Sequence, residues 1–562
     1  MTRAHRWLVA ALFVVPAVLA WWPGLPPHGY GHLLFALPVL SWLSERSLGP
    51  RLLLYGAGLA LQTLAFPDPD FGFLGFVLLF PYLLARERPD GAAPLRSAFL
   101  YGFLRAHLGF AWMGHVHFFA WVGVSLGSGA LFALVFEGSL RRARFLPFAL
   151  RAACGWLLFE WVHSWLLGGL PWLYLAHTQH RFLLLIQAAD IVGAWGISFL
   201  LAFLQAAAFE AWRRRRWRAL QVAALLLLAD LAYGAIRLDG ARDAAEGPGV
   251  LLVQSSFPIE VKQKREESAD DILRVLVELT DRGLEAHPDT SLVVWPETIH
   301  PLVLVENDAA DRFRFLASCR LLASRYRRPI IYGANTYTGI DRLDGRRGHN
   351  SAVLVDAQGE IRGIYRKQAL VPMGEFFLPR ALFPEPWCDA WVRWLMVGPI
   401  GYPEQCDLEK GEGYVTLDAG KGLACATLIC FEGLEPGMAR KALDQGSPDL
   451  LLHLANHGWF TGSFAQEQAA AIWVLRAIET RTPFLSCANT GTTCAVAPSG
   501  RLLGALRNGG AGGALHLRLP SRWPPPPYLG LARFALPLLL VLLAVTLFAR
   551  RRSAPDSFRE GR

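Results

Sequence analysis

Apolar residues dominate two separated parts of the chain, and between them the pattern changes character. Before about residue 240 and after about 527 they form runs approaching the ~20 residues that a helix needs to cross a bilayer. The runs cover roughly 7–22, 31–44, 51–66, 71–85, 97–114, 118–139, 146–167, 183–211, 218–237 and 528–549. Arginines gather at alternate ends: Arg3 and Arg6, Arg46 and Arg51, Arg86 to Arg96, Arg141 to Arg144, Arg213 to Arg218, and Arg550 to Arg552. Under the positive-inside rule those ends are cytoplasmic, so nine spans starting inside deliver residues ~240–527 to the outer side. Residues 1–20 also read as a signal peptide, with Val18-Leu-Ala20 resembling a cleavage site, although Trp21-Trp22 is a poor start for a mature chain.

From Gly249 onward, short β-branched runs alternate with amphipathic stretches. The runs at 250–254, 292–295, 330–337, 352–356, 424–430, 449–456, 484–489 and 493–498 predict buried strands. Stretches such as 268–286, 308–326 and 464–481 predict helices between them, which is an α/β pattern. The chain therefore divides into an N-terminal helical pair (1–45), a multi-span α-helical membrane domain (46–240), an α/β domain (241–525), and a last span with its tail (526–562).

Composition strengthens this division. A content of 53% hydrophobic and 18% charged residues over 562 positions is unlike a soluble protein of that size, and the apolar surplus needs a bilayer. The net charge of +9 does not signal nucleic acid, because the arginines sit in short blocks beside apolar runs. There is also no zinc-type Cys/His spacing, no phosphate-cradling glycine motif and no basic–aromatic stripe. Most of the eight cysteines read as small buried hydrophobes. Cys388 and Cys406 flank a predicted surface loop, where a disulfide stays an open question.

Cys430 closes the apolar run Leu423-Ala-Cys-Ala-Thr-Leu-Ile-Cys-Phe-Glu432, while Glu297 and Asn456 follow other predicted strands and Lys367 follows Tyr365-Arg366. Rigid strands hold side chains at their tips, where loops shape a pocket. A cysteine attacks as its thiolate, which a cation stabilises and a base generates. Taken singly, Glu297 reads as a helix-capping acid, Lys367 as a solvated charge, and Cys430 as a core thiol like Cys425. Taken together, in the order Glu, Lys, Cys, they point to thiol-based acyl transfer.

Trp295-Pro-Glu297, Lys367-Gln-Ala-Leu-Val-Pro-Met-Gly-Glu375, Ile429-Cys-Phe-Glu432 and Asn456-His-Gly-Trp-Phe460 resemble motifs of the carbon–nitrogen hydrolase (nitrilase) superfamily. Membrane spans on both sides narrow the resemblance to the apolipoprotein N-acyltransferase family. Leu64-Ala-Phe-Pro-Asp-Pro-Asp-Phe71, Tyr101-Gly-Phe103 with Trp112, and Glu160 followed by Gly169-Leu-Pro-Trp172 resemble that family's membrane half, so the likeness runs from about residue 51 to 549.

The resemblance implies an αββα sandwich with Glu297 as base, Lys367 as oxyanion-stabilising cation and Cys430 as nucleophile. Glu375, Glu432, Asn350 and Asn456 are its implied supporting residues. It implies a thioester intermediate, no metal and no cofactor. The implied partners are a phospholipid acyl donor, in particular phosphatidylethanolamine, and diacylglyceryl-cysteine apolipoproteins. The implied setting is a monomer in a bacterial inner membrane with its catalytic domain in the periplasm. Phe376, Phe377, Trp387, Trp391 and Trp394 form an aromatic stretch beside Glu375, read as a lid or membrane-dipping loop or as core packing. The chain departs from the family pattern at Phe431, His457, Ala469 and Thr482. A membrane-tethered amidase that uses water, and a catalytically silent lipoprotein-binding homologue, therefore stay open as alternatives.

Overall fold

The computed structural model describes residues 49–548 apart from 88–93, 117, 144–145, 167–168, 239–242, 244–245, 259–264, 301, 303, 307–308, 338–347, 373, 377–383, 385–386, 388–407, 459–461 and 507–511. The expected spans at 7–22 and 31–44, the pair 1–45, Phe377, Trp391, Trp394, and the cysteines at 388 and 406 lie outside the described residues. The six described cysteines are free thiols.

The N-terminal part is helical. Its main elements are Gly49–Ala65, Pro94–Gly109, Phe118–Leu131, Phe148–Trp165, Ala189–Arg214 and Arg218–Arg237, and Pro527–Phe548 joins them from the far end of the chain. Among the described residues, Ala120–Arg142, Ala189–Arg214 and Arg218–Arg237 are long and apolar enough to cross a membrane. Leu225, Leu228 and Ile236 on one of these helices, and Phe534 and Leu538 on the C-terminal one, are exposed, as a lipid-facing surface requires.

One expected span takes another form, and a second starts later than expected. Residues 71–85 fold as a tight turn, Gly72–Phe76, and a short helix, Phe80–Arg86. The turn packs closely: a side chain at Gly75 would come within 2.3 Å of the Thr178 hydroxyl oxygen. The run at 183–211 starts as the single turn Leu183–Ile186, and its long helix breaks at Gly193, where φ is +66°. Glycine alone fits there, because a Cβ would meet the Tyr528 ring at 2.7 Å.

The globular part builds two sheets. Strands β1 (Gly249–Gln254), β2 (Thr290–Val294), β3 (Leu304–Val305), β4 (Ile330–Tyr337), β5 (Gly348–Val355) and β6 (Ile361–Arg366) enter the first. Its order is β13-β1-β2-β4-β5-β6, with β3 beside β4 and β13 (Gly513–Arg518) closing one edge. The second contains β7 (Thr416–Asp418), β8 (Ala424–Ile429), β9 (Leu450–Ala455), β10 (Phe484–Ala488), β11 (Thr493–Val496) and β12 (Leu502–Leu506), in the order β12-β11-β10-β9-β8-β7. The central strands β8, β9 and β10 pair in parallel, and their near-continuous apolar runs match burial on both faces.

The sheets face each other through Val250, Leu292, Ile331 and Leu354 on one side and Leu450, Leu452 and Leu485 on the other. Helices Arg265–Ala286 and Ala309–Tyr326 cover the outer face of the first sheet through Leu276 and Phe315. Helices Pro436–Leu443 and Ala465–Thr480 cover the second, giving the four-layered αββα order. Trp473 and Ile472 of the latter helix belong to the same hydrophobic cluster as Phe132 and Phe159 of the helical bundle, so the two parts share a core.

A buried polar seam crosses this junction. Arg481 pairs with Asp190 at 2.7 Å with both side chains fully buried, and it also donates to Gln187 Oε1 at 2.8 Å. Arg237 meets the same Asp190 at 2.8 Å. Glu479 accepts the Ala194 N–H at 2.7 Å, capping from outside the helix start that Gly193 breaks. Breaking a buried pair leaves an uncompensated charge, so Asp190→Ala is expected to cost about 3–5 kcal/mol. The check is thermal denaturation in detergent: an unchanged melting temperature refutes it, and Asp190→Leu combined with Arg481→Met should recover part of the loss.

Candidate active site

The predicted site residues converge where strand ends from both sheets meet. Glu297 follows β2, Asn350 lies on β5, Lys367 follows β6, and Cys430 follows β8. Gly333 on β4 makes room for the Glu297 turn, since a Cβ there would sit 2.6 Å from the Glu297 Cα. The Lys367 backbone N–H donates to the Asn350 carbonyl at 2.9 Å, which ties lysine and asparagine together.

Four polar side chains form one buried cluster. Lys367 is completely buried and its Nζ lies 2.8 Å from Glu375 Oε1. The Asn350 amide donates to Glu297 Oε1 at 2.7 Å and to Glu375 Oε1 at 3.3 Å, so one amide and one ammonium serve two carboxylates. Glu375 is itself fixed by the Val371 N–H at 2.9 Å. Burial works against the lysine charge, yet Glu375, Cys430 and Glu297 together outweigh it and hold the ammonium above its ordinary value.

Cys430 occupies the first position after β8 with φ of +53°, a left-handed conformation that a non-glycine residue adopts at a cost. Burial pushes its thiol pKa up, Glu297 adds to the rise, and Lys367 opposes it. The resting sulfur therefore keeps its proton at neutral pH, and activation needs a base at the moment of attack. Glu297, Lys367 and Glu375 are the charged groups that act on the Cys430 sulfur.

Glu432 has a scaffolding position. Fully buried, it accepts from the Tyr365 hydroxyl at 2.9 Å and from the backbone N–H groups of Gln368, Ala369 and Ile429 at 2.6, 2.9 and 2.8 Å. It thus joins the segment after Lys367 to the strand before Cys430. Burial raises its pKa although those hydrogen bonds pull the other way.

Asn456 sits apart from this carboxylate cluster. Its Oδ1 accepts from Asn489 Nδ2 at 3.0 Å, and Asn489 in turn bonds Ser255 and Phe257. It therefore pins loops around the site. Phe376 is partly buried, its N–H reaching the Val371 carbonyl, and Trp387 is 64% exposed. Of the family departures, His457 is buried and stacks near Trp473, and burial pulls its pKa down to about 4. Gln468, beside Ala469, accepts from Trp172 Nε1 at 2.6 Å, a bond between the two parts of the chain.

The sequence reading missed three residues here: His453, Ser486 and Asn489. His453 donates from Nε2 to the Cys430 carbonyl at 2.8 Å, and its Nδ1 lies 3.0 Å from Ser486 Oγ. The signal was one histidine inside the otherwise apolar run of β9.

An αββα sandwich that carries a cysteine, a buried lysine and two carboxylates at its strand ends has the nitrilase-type fold, here packed on a helical membrane bundle. Residues 257–512 match the carbon-nitrogen hydrolase model, and residues 57–207 match that of the apolipoprotein N-acyltransferase N-terminal domain. The chain belongs to the apolipoprotein N-acyltransferase family. It is 30% identical over 467 residues to the apolipoprotein N-acyltransferase of Geobacter metallireducens, covering 79% of this chain and 84% of that one. Identity to the Rhodopseudomonas palustris protein of the same name is 26% over 544 residues, or 92% and 97% of the two chains. Among solved structures, a mutant of the Nesterenkonia AN1 amidase from the nitrilase superfamily aligns over 53% of this chain and 99% of its own, at 17% identity and a TM-score of 0.36.

Proposed function

We propose that this membrane protein transfers an acyl chain from a phospholipid to the N-terminal diacylglyceryl-cysteine of apolipoproteins through a thioester on Cys430. The observation that supports the roles is the hydrogen-bonded group of Glu297, Asn350, Glu375 and Lys367, whose charges act on Cys430 at the end of β8. Glu297 takes the thiol proton as the sulfur attacks the ester carbonyl. Lys367 holds the resulting oxyanion, an interaction worth about 3 kcal/mol where one such donor is removed from other enzymes. The C–O bond then breaks, Glu297 returns the proton to the leaving alkoxide, and a lysophospholipid departs. In the second half the amine nitrogen attacks the thioester, Glu297 accepts its proton, and the C–S bond breaks as Glu297 passes that proton to the departing sulfur, giving the amide and the Cys430 thiol.

In this reading the donor is phosphatidylethanolamine, used at sn-1. Residues 46–240 and 526–562 embed a monomer in a bacterial inner membrane, and residues 241–525 work in the periplasm. The arginine blocks at alternate span ends support this orientation. Phe376 and Trp387 belong in this reading to a lid or membrane-dipping loop; the exposure of Trp387 supports a contact beyond the sandwich core. The reaction needs no metal or organic cofactor.

The test uses the detergent-purified full chain and phosphatidylethanolamine labelled in its sn-1 acyl chain. Hydroxylamine-sensitive label on the wild type, absent from Cys430→Ala and passed on to a diacylated lipopeptide, is the expected result. Label released only as free fatty acid would make the protein a hydrolase. No label on folded protein would overturn the nucleophile assignment and favour a silent homologue.

A further inference from the structure

The Cys430–Phe431 peptide is held from behind by a side chain outside the cluster described above. His453 on β9 is completely buried, with Trp473 and Phe484 rings at 5.0 and 5.7 Å. Burial pulls its pKa down to about 3, so the imidazole is neutral and carries one ring proton. A carbonyl can only accept, so the proton is on Nε2, which donates to the Cys430 carbonyl at 2.8 Å. Nδ1 is then the acceptor for the Ser486 hydroxyl at 3.0 Å. Gly433 permits this approach: a Cβ there would stand 2.7 Å from the His453 ring.

A trans peptide is planar and its C=O and N–H point in opposite directions. Fixing the Cys430 carbonyl toward β9 therefore aims the Phe431 N–H the other way, toward the sulfur, with which it interacts. That is the side on which an acyl group bonded to the sulfur develops its oxyanion. A hydrogen bond to the carbonyl also polarises the peptide and strengthens its N–H as a donor.

We infer that His453 is a positioning residue for acyl transfer: through the Cys430 carbonyl, supported by Ser486, it holds the Phe431 N–H as a second oxyanion donor opposite Lys367. The inference rests on Cys430 being the nucleophile.

Two reactions of the same sulfur separate this role from a structural one. Acylation by phospholipid builds an oxyanion, whereas alkylation by iodoacetamide does not. In His453→Leu, single-turnover acylation is expected to fall by ~10²–10³-fold, the loss seen when one oxyanion donor is removed, while alkylation changes by no more than a few-fold. His453→Gln, whose amide offers a donor at a similar reach, should recover much of the acylation rate. Equal losses in both reactions would reduce His453 to a packing residue, and unchanged acylation in His453→Leu would overturn the inference outright. Wild-type protein that is alkylated at Cys430 but never acylated would instead remove the nucleophile assignment, and this inference with it.

Discussion

Replacing Glu297 by glutamine is expected to slow acylation of Cys430 by ~10²–10⁴-fold at neutral pH, the usual contribution of a positioned base. Structure should survive the change. Glutamine offers Asn350 the same carbonyl acceptor, and it leaves the Lys367–Glu375 pair intact and balanced. The sulfur is the group that suffers: burial holds its proton on, and Glu297 is the base assigned to remove it. A thiol with a raised pKa is neutral below that pKa, so its thiolate fraction grows about tenfold per pH unit as pH climbs. The residual rate in Glu297→Gln should therefore rise with pH past the ordinary thiol value of 9.0. Single-turnover acylation across that range is the measurement, and a near-wild-type rate at neutral pH would remove Glu297 from its role.

Lys367→Met should damage both chemistry and folding. Loss of the oxyanion cation is expected to cost ~10²–10³-fold in acylation. The stability effect comes from what stays behind: Glu297 and Glu375, bridged by a single Asn350 amide, would face each other without a neutralising charge. Removing one partner from a buried ion pair costs about 3–5 kcal/mol. Adding Glu375→Gln should restore much of the melting temperature but none of the activity. A Lys367→Met protein that melts like wild type would refute this account.

The globular fold was largely legible because its central strands are apolar on both faces. Such runs, seen at 250–254, 330–337 and 449–456, carry their own boundaries. Strands β3, β6, β7, β12 and β13 escaped. They are short or half-exposed, and glycine at 363, 504 and 513 dilutes their pattern. The principal site residues were readable because each follows such a run or belongs to a recognisable motif. Asn456 was readable as polar at a strand end, yet the structure engages it with Asn489. Its partner arrives from a different strand, and linear order does not reveal that pairing. His453 was lost for the opposite reason, since a buried histidine in an apolar strand carries no outward sign of what its ring touches. The membrane half was overdrawn at 71–85, where apolar composition persists through a turn that glycines permit, whereas the run at 183–211 was only begun too early.

Fourteen of the sixteen residues in Ala465–Thr480 are buried, because one side of this helix lies on the second sheet and the other against the bundle. In a water-soluble sandwich the corresponding layer would be the protein's skin. Here Trp473, Arg476 and Glu479 are interior residues, and excising the globular half would bare an apolar surface crossed by severed ion pairs. The lipid-embedded helices are thus part of the folding unit, and a soluble version of this enzyme would need a redesigned outer layer rather than a well-chosen cut site.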